Sequence, residues 1–207
     1  MTIERLDLEA ALAALRSGAV VAVPTDTVYG VAARLDDPAA VSRLFAVKSR
    51  PREVALPVLV ASRDDVSALG LEWSESAEAL AREFWPGALT IVVAAPALLA
   101  QRVGATNSLG VRQPRHSTLL ELLARTGPLA VTSANEHGQA PCTSFENVAA
   151  TAWAAPIAGV LDAGVCQGVV SSVVELRGEQ WRLRRAGAIT AAQIAAVLGP
   201  ESATFDN

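Results

Sequence analysis

The stretch VVAVPTDTVYG, residues 20–30, decides how the rest of this chain is read. Residues 19–23 are continuously apolar, the pattern of a strand buried on both faces. Pro24 ends the run. Thr25, Asp26, Thr27 and Tyr29 then crowd hydroxyl, carboxyl and phenol groups against the strand end. Such residues cap loops by bonding local amides. They also line ligand sites, which gather at strand ends in α/β proteins. The stretch alone leaves both readings open.

The flanking sequence supplies an α/β framework. Asp7 is placed to cap a helix over residues 7–17, with Leu8, Leu12 and Leu15 on one face and Gly18 as its stop. Asp37-Pro38 is a cap followed by a first-turn proline, predicting a helix through Val41, Leu44 and Phe45. Ser62 with Asp65, Thr118 with Glu121, Thr143 with Glu146 and Thr190 with Gln193 have capping-box spacing, the last flanked by Ile189 and Ile194. Residues 76–85 read as a further helix. Strands are expected at residues 55–61, 88–94, 109–112, 129–132, 157–161, 172–176 and 181–184. The residues after Pro96 read as a turn. Helices and strands that do not strictly alternate predict an α/β fold on a twisted mixed sheet.

The chain has 207 residues, and its apolar fraction of 51% is enough for one domain with a substantial core. A net charge of -4 argues against a surface that attracts nucleic acid as a whole, while leaving room for a local basic pocket. Two cysteines, Cys142 and Cys166, are too few for a disulfide scaffold or a thiolate metal site. No apolar run approaches a membrane span and no leader pattern is present, so a cytoplasmic protein without a membrane role is expected.

Three polar clusters beside residues 24–29 could carry chemistry. In Lys48-Ser49-Arg50-Pro51-Arg52, the cations either complement a helix C-terminus or hold phosphate, lysine as a point charge and arginine as a fork. In SLGVRQP, residues 108–114, Arg112 follows an apolar strand. A guanidinium there needs an anion, either a substrate group or an internal carboxylate. In Thr132-Ser133-Ala134-Asn135, the side chains either face a cleft or cap local backbone. Arg184 and Arg185 add cations near the last strand. The phosphate loop G-x-x-x-x-G-K-[ST], the dinucleotide fingerprint G-x-G-x-x-G and the nucleophile elbow G-x-S-x-G are all missing. His116 and His137 lack metal-ligand spacing, and no metal site is expected. The remaining pattern suits phosphoryl or nucleotidyl transfer driven by positioning and electrostatics.

VPTDTVYG, KSRP, VRQP, TSAN with a following G-x-x-P, SSVVEL and RRAGAI occur here in that order. The set resembles the YrdC-like family, the threonylcarbamoyl-AMP synthases, over about residues 8–198. The chain resembles its single-domain bacterial form. The resemblance implies a twisted α/β sheet around a concave, positively charged cavity. It implies a nucleotidyltransferase that makes L-threonylcarbamoyladenylate and pyrophosphate from L-threonine, bicarbonate or CO2, and ATP, with Mg2+ carried by the nucleotide. A transferase complex would then modify adenosine 37 of tRNA.

By motif position, the resemblance assigns Thr27, Arg112, Ser133 and Ser171 to threonine. It assigns Lys48, Arg50, Ser108, Asn135, Thr143 and Arg185 to ATP, with Lys48 and Arg50 also acting in catalysis. Val54 and Leu59 stand where many members carry polar residues, and Leu59 cannot make the hydrogen bond of the histidine often found nearby. Ala186 replaces the usual proline. Two other functions fit the same chain: a module with weak tRNA binding, and a related carbamoyl-adenylate enzyme acting on another amine.

Overall fold

The structure, a computed structural model, describes residues 3–49, 51, 53–136 and 138–202. Its strands are β1 (Arg5–Leu6), β2 (Val21–Val23), β3 (Gly30–Arg34), β4 (Val58–Leu59), β5 (Leu89–Ala94), β6 (Ser108–Arg112), β7 (Leu129–Ser133), β8 (Gly159–Leu161), β9 (Ser172–Arg177) and β10 (Gln180–Arg185). They form one sheet in the order β1–β8–β2–β3–β7–β4–β6–β5–β9–β10. The sheet is mixed: β2–β8, β4–β6 and β5–β9 are parallel pairs, while β2–β3, β3–β7 and β5–β6 are antiparallel.

All three residues of β2 are buried, as their unbroken apolar run requires. Its neighbour β3 has no counterpart among the sequence expectations. Gly30, Ala32 and Ala33 have weak strand propensity, and here packing overrides it. A Cβ on Gly30 would lie 2.6 Å from Val131 Cγ1, so this strand needs the small residue to sit against β7. The polar loop of residues 24–29 thus joins two adjacent interior strands.

The helices are α1 (Leu8–Arg16), α2 (Pro38–Val47), α3 (Arg63–Ala68), α4 (Glu75–Phe84), α5 (Ala97–Arg102), α6 (Ser117–Thr126), α7 (Phe145–Ala149) and α8 (Ala191–Leu198). Asp7 and Asp37 cap α1 and α2, and the capping boxes Ser62/Asp65 and Thr190/Gln193 are formed. Two expected caps shift. His116 caps α6 in place of Thr118, its Nδ1 accepting the Leu119 amide. Ser144 caps α7 in place of Thr143, accepting the Asn147 amide. In both, the chain enters the helix elsewhere than the Thr-x-x-Glu spacing implies, and whichever acceptor is nearest meets the orphan amides. The turn expected after Pro96 is α5, and the strand expected at residues 55–61 shortens to β4, the two residues in register with β6 and β7, while Leu56, Pro57 and Val60 make backbone bonds outside that ladder.

Two cores lie on opposite faces of the sheet. The larger contains Leu44, Phe45, Leu80, Ile91, Val111, Trp181 and Ile194. The smaller packs Leu12 and Leu15 of α1 and Leu119, Leu122 and Leu123 of α6 against Val21, Leu59 and Leu129. Each fully buried leucine contributes about 1.5–3 kcal/mol relative to exposure. Strand alternation sends Val58, Ile91 and Val111 to the larger core. Leu59, Thr90 and Arg112 therefore project from the other face, beside the ground that α1 and α6 occupy. No helix among the described residues is long and apolar enough to cross a membrane.

Candidate functional site

A cavity of about 230 Å³ opens on that second face. Thr25, Thr27, Leu59, Thr90, Arg112 and Val131 contribute to it, with Ser133, Asn135, Ser171 and Arg185 around them. Of the residues expected to bind threonine, Thr27, Arg112, Ser133 and Ser171 all border this one space.

The loop between β2 and β3 holds itself before it holds anything else. Thr25 Oγ1 accepts the amides of Thr27 and Val28 at 3.0 and 3.1 Å and donates to the Val28 carbonyl at 2.7 Å. The capped-turn reading of these hydroxyls therefore holds for Thr25. Thr27 differs, because its Oγ1 accepts from Arg112 Nη1 at 3.0 Å. Tyr29 borders the cavity, but its hydroxyl donates to the Gly164 carbonyl at 2.8 Å, and burial raises its pKa to about 12. It supports the wall as a neutral phenol.

Arg112 is 5% exposed. Its Nε donates to the Gly87 carbonyl at 2.8 Å and its Nη2 to Asp26 Oδ1 at 2.5 Å. The internal-carboxylate alternative is thus realised, yet these bonds and the one to Thr27 use three of the five N–H donors. Burial pulls the guanidinium below its ordinary pKa; Asp26 opposes this and Arg185 adds to it.

Arg185, at the end of β10, donates from Nε to the Ser171 carbonyl at 3.0 Å and from Nη2 to Ser171 Oγ at 2.9 Å. Ser171 Oγ lies 3.1 Å from Thr90 Oγ1. This network needs a glycine: a Cβ on Gly187 would stand 2.4 Å from the Val170 carbonyl oxygen and 2.6 Å from Ser171 C. Arg184, its neighbour, pairs with Glu175.

Asn135 stands at the junction with a second hollow. Its Nδ2 donates to the carbonyls of Glu136 and Gln139, both at 2.8 Å, while its buried Oδ1 meets no donor among the described residues. A buried acceptor left unpaired costs about 1–3 kcal/mol, so this oxygen is poised for a ligand or water hydrogen. The second hollow, about 380 Å³, shares Asn135 and Pro141 with the main cavity. A third, about 320 Å³, shares Glu136 and Thr151 with the second and is bordered by Lys48. Lys48 Nζ lies 6.0 Å from the Trp153 ring centre there. Lys48 is thus connected to the Arg112 cavity by a line of adjoining hollows but does not border it.

The other expected nucleotide residues are more scattered. Arg50 lies outside the described residues, as does His137. Thr143 does not border the main cavity; its amide and hydroxyl engage Asn147 Oδ1, both at 3.1 Å. Ser108 opens β6 at the end remote from Arg112, about 13 Å away at strand spacing. It borders a separate groove with Trp73, Asn107, Glu175 and Arg177. The sequence placed these two residues in one motif, but an extended strand separates its ends. Thr90 and Gly187 were missed. The only signal for Thr90 was a lone hydroxyl in the apolar run LTIVVA; Gly187 carried none beyond its place after Arg185.

The fold and site define a class: a mixed α/β protein with a buried arginine, hydroxyls and a second arginine around one small cavity, suited to a carboxylate-bearing ligand. Comparison with known proteins narrows it. The chain belongs to the Sua5–YciO–YrdC family, described as "Telomere recombination", whose pattern matches residues 13–187. A Mycobacterium leprae relative is 40% identical over 195 residues, spanning 93% of this chain and 88% of its own length. The threonylcarbamoyl-AMP synthase of Bacillus subtilis is 38% identical over 92% of this chain and 56% of its own. The crystal structure of Pyrococcus abyssi Sua5 complexed with L-threonine superposes with a TM-score of 0.88 at 34% identity, covering 96% of this chain and 60% of that one. Escherichia coli YciO, at 19% identity and a TM-score of 0.79 over 90% of this chain and 92% of its own, shares the fold.

Proposed function

We propose that this chain is a threonylcarbamoyl-AMP synthase of the single-domain kind. It forms L-threonylcarbamoyladenylate and pyrophosphate from L-threonine, bicarbonate or CO2, and ATP, for modification of tRNA position 37. The observation that carries this reading is the buried Arg112 guanidinium joined to Thr27 on the floor of the cavity. The relatives named for this activity and the threonine-bound Pyrococcus protein support the same reading.

The threonine carboxylate lies on Arg112, and Thr27, Ser133 and Ser171 receive the rest of the amino acid. The neutral amine adds to CO2 and gives up a proton to water or a substrate group, leaving an N-carboxylate whose oxygen attacks the α-phosphorus of ATP. That P–O bond forms as the bond to pyrophosphate breaks, and pyrophosphate leaves with the electron pair. Fixing the carboxylate fixes the direction of the nucleophile, the positioning component of catalysis. Asn135 Oδ1 accepts a hydrogen from the nucleotide side. Arg185, Lys48 and Arg50 draw the phosphates and offset charge growing there, with Thr143 supporting that side and Mg2+ arriving on the nucleotide. Ser108 borders the separate groove at the other end of β6, away from the Arg112 cavity.

Mass detection of the adenylate beside a pyrophosphate assay tests this function. Pyrophosphate release is expected to require threonine and bicarbonate together, and Lys48→Ala or Arg50→Ala to suppress it. ATP turnover without threonine and without an adenylate product would sink the reading. Serine and carbamoyl phosphate in place of threonine and bicarbonate separate the enzyme from one acting on another amine.

A further inference from the structure

Arg112 borders the cavity, but the carboxylate bonded to it does not. Asp26 is absent from the cavity wall, its side chain only 11% exposed, and its Oδ1 meets Arg112 Nη2 at 2.5 Å. The Gly87 carbonyl takes Nε and the Thr27 hydroxyl takes one hydrogen of Nη1. Three acceptors from two segments, the loop of residues 24–29 and Gly87, therefore grip a planar group and restrict its rotation once all are engaged. One N–H on each terminal nitrogen is left over for a further acceptor.

We propose that Asp26 is the positioning residue of the amino-acid subsite, holding the Arg112 guanidinium in the plane and orientation that present its remaining two N–H groups to a ligand carboxylate. Asp26 itself does not touch the ligand. Without it, a buried cation would lose its counter-charge and one of three restraints, and would turn toward the nearest acceptor in place of the cavity. Asp26 is thus a partner of the ligand carboxylate, not its competitor: the two anions bind different N–H groups of one cation. The restraint also explains why Asp26 stands immediately before Thr27. Adjacent residues of a loop tied down by Thr25 reach Nη2 and Nη1 of the same guanidinium.

This inference rests on reading the cavity as an amino-acid site, and its test separates the two. In Asp26→Asn, the KM for threonine is expected to rise about tenfold to hundredfold while kcat changes less than about threefold. The preference for threonine over threoninamide, which lacks the carboxylate, is expected to shrink by a similar factor. A defect of general folding would weaken both substrates alike. An unchanged or lowered KM for threonine would overturn the proposal, since it would make Asp26 a bystander or a competitor. Where Asp26→Asn does not fold, nitrogen-15 NMR of the wild-type protein decides. A slowly exchanging Arg112 Nε–H with hindered rotation of its terminal nitrogens supports the grip, and a freely rotating guanidinium refutes it. The NMR result stands even if the wild-type protein shows no threonine-dependent turnover, an outcome that would strike the proposed function and not the role of Asp26.

Discussion

Leu59 of β4 and Arg112 of β6 are Cα partners on parallel strands, so an aliphatic side chain flanks the guanidinium on the cavity floor. Leu59 is 4% exposed and belongs to the core beneath α1 and α6. One residue therefore serves both packing and the site wall. Leu59→Ala is expected to destabilise the protein by about 2–4 kcal/mol, and Leu59→Met by less than about 1.5 kcal/mol. Urea unfolding measures both. A loss below about 1 kcal/mol for the alanine variant would mean that the cavity wall collapses without strain.

Arg112→Lys tests whether charge alone suffices. An ammonium is a compact point charge and cannot reproduce a fork held at Gly87, Thr27 and Asp26 at once. The expected loss is about a hundredfold in kcat/KM for threonine, or about 2.7 kcal/mol of transition-state stabilisation. Activity within threefold of wild type would show that geometry at this position is dispensable.

Gly187→Ala should act on the site from behind. Its new Cβ would stand 2.4 Å from the Val170 carbonyl oxygen and 2.6 Å from Ser171 C, and backbone has to move to relieve that. Overpacking of this sort costs about 1–3 kcal/mol. Displacing Ser171 should also raise the KM for threonine, because Arg185 and Thr90 are both anchored to its hydroxyl. Normal stability together with normal KM would contradict the close approach.

His116 should give the protein a mild acid sensitivity. Burial holds its pKa below the ordinary 6.5, with Asp26 pulling the other way, and its Nδ1 lone pair caps α6 through the Leu119 amide. Protonation removes that lone pair. Because the folded-state pKa is depressed, the contribution is fully present above the unfolded value of 6.5. It is lost as pH falls from there through the folded value. Asparagine caps without titrating, so His116→Asn should remove this slope. Urea midpoints between pH 7.5 and 5 should show wild type losing stability relative to the variant below about pH 6.5. Parallel curves would exclude the effect.

The sequence by itself determined most of the framework and one motif set. Asp7, Asp37, Ser62 and Thr190 announce helix starts because capping is a local interaction, complete within three or four residues. The apolar run before Pro24 announces a buried strand for the same reason of locality, and the order of the polar clusters identifies the family. The tertiary structure alone decided what each polar group touches. β3 forms because Gly30 lets Val131 close in, a fact belonging to two strands distant in sequence. Of the residues in one VRQP-type segment, Arg112 reaches the cavity and Ser108 does not, because extension carries them apart. Thr25 and Thr27 look equivalent on paper, yet one ties the loop and the other receives Arg112, 85 residues away in the chain. Short-range order follows from backbone sterics and local hydrogen bonds. The partner of a buried charge is set by which strands become neighbours, and that is fixed only when the whole sheet closes.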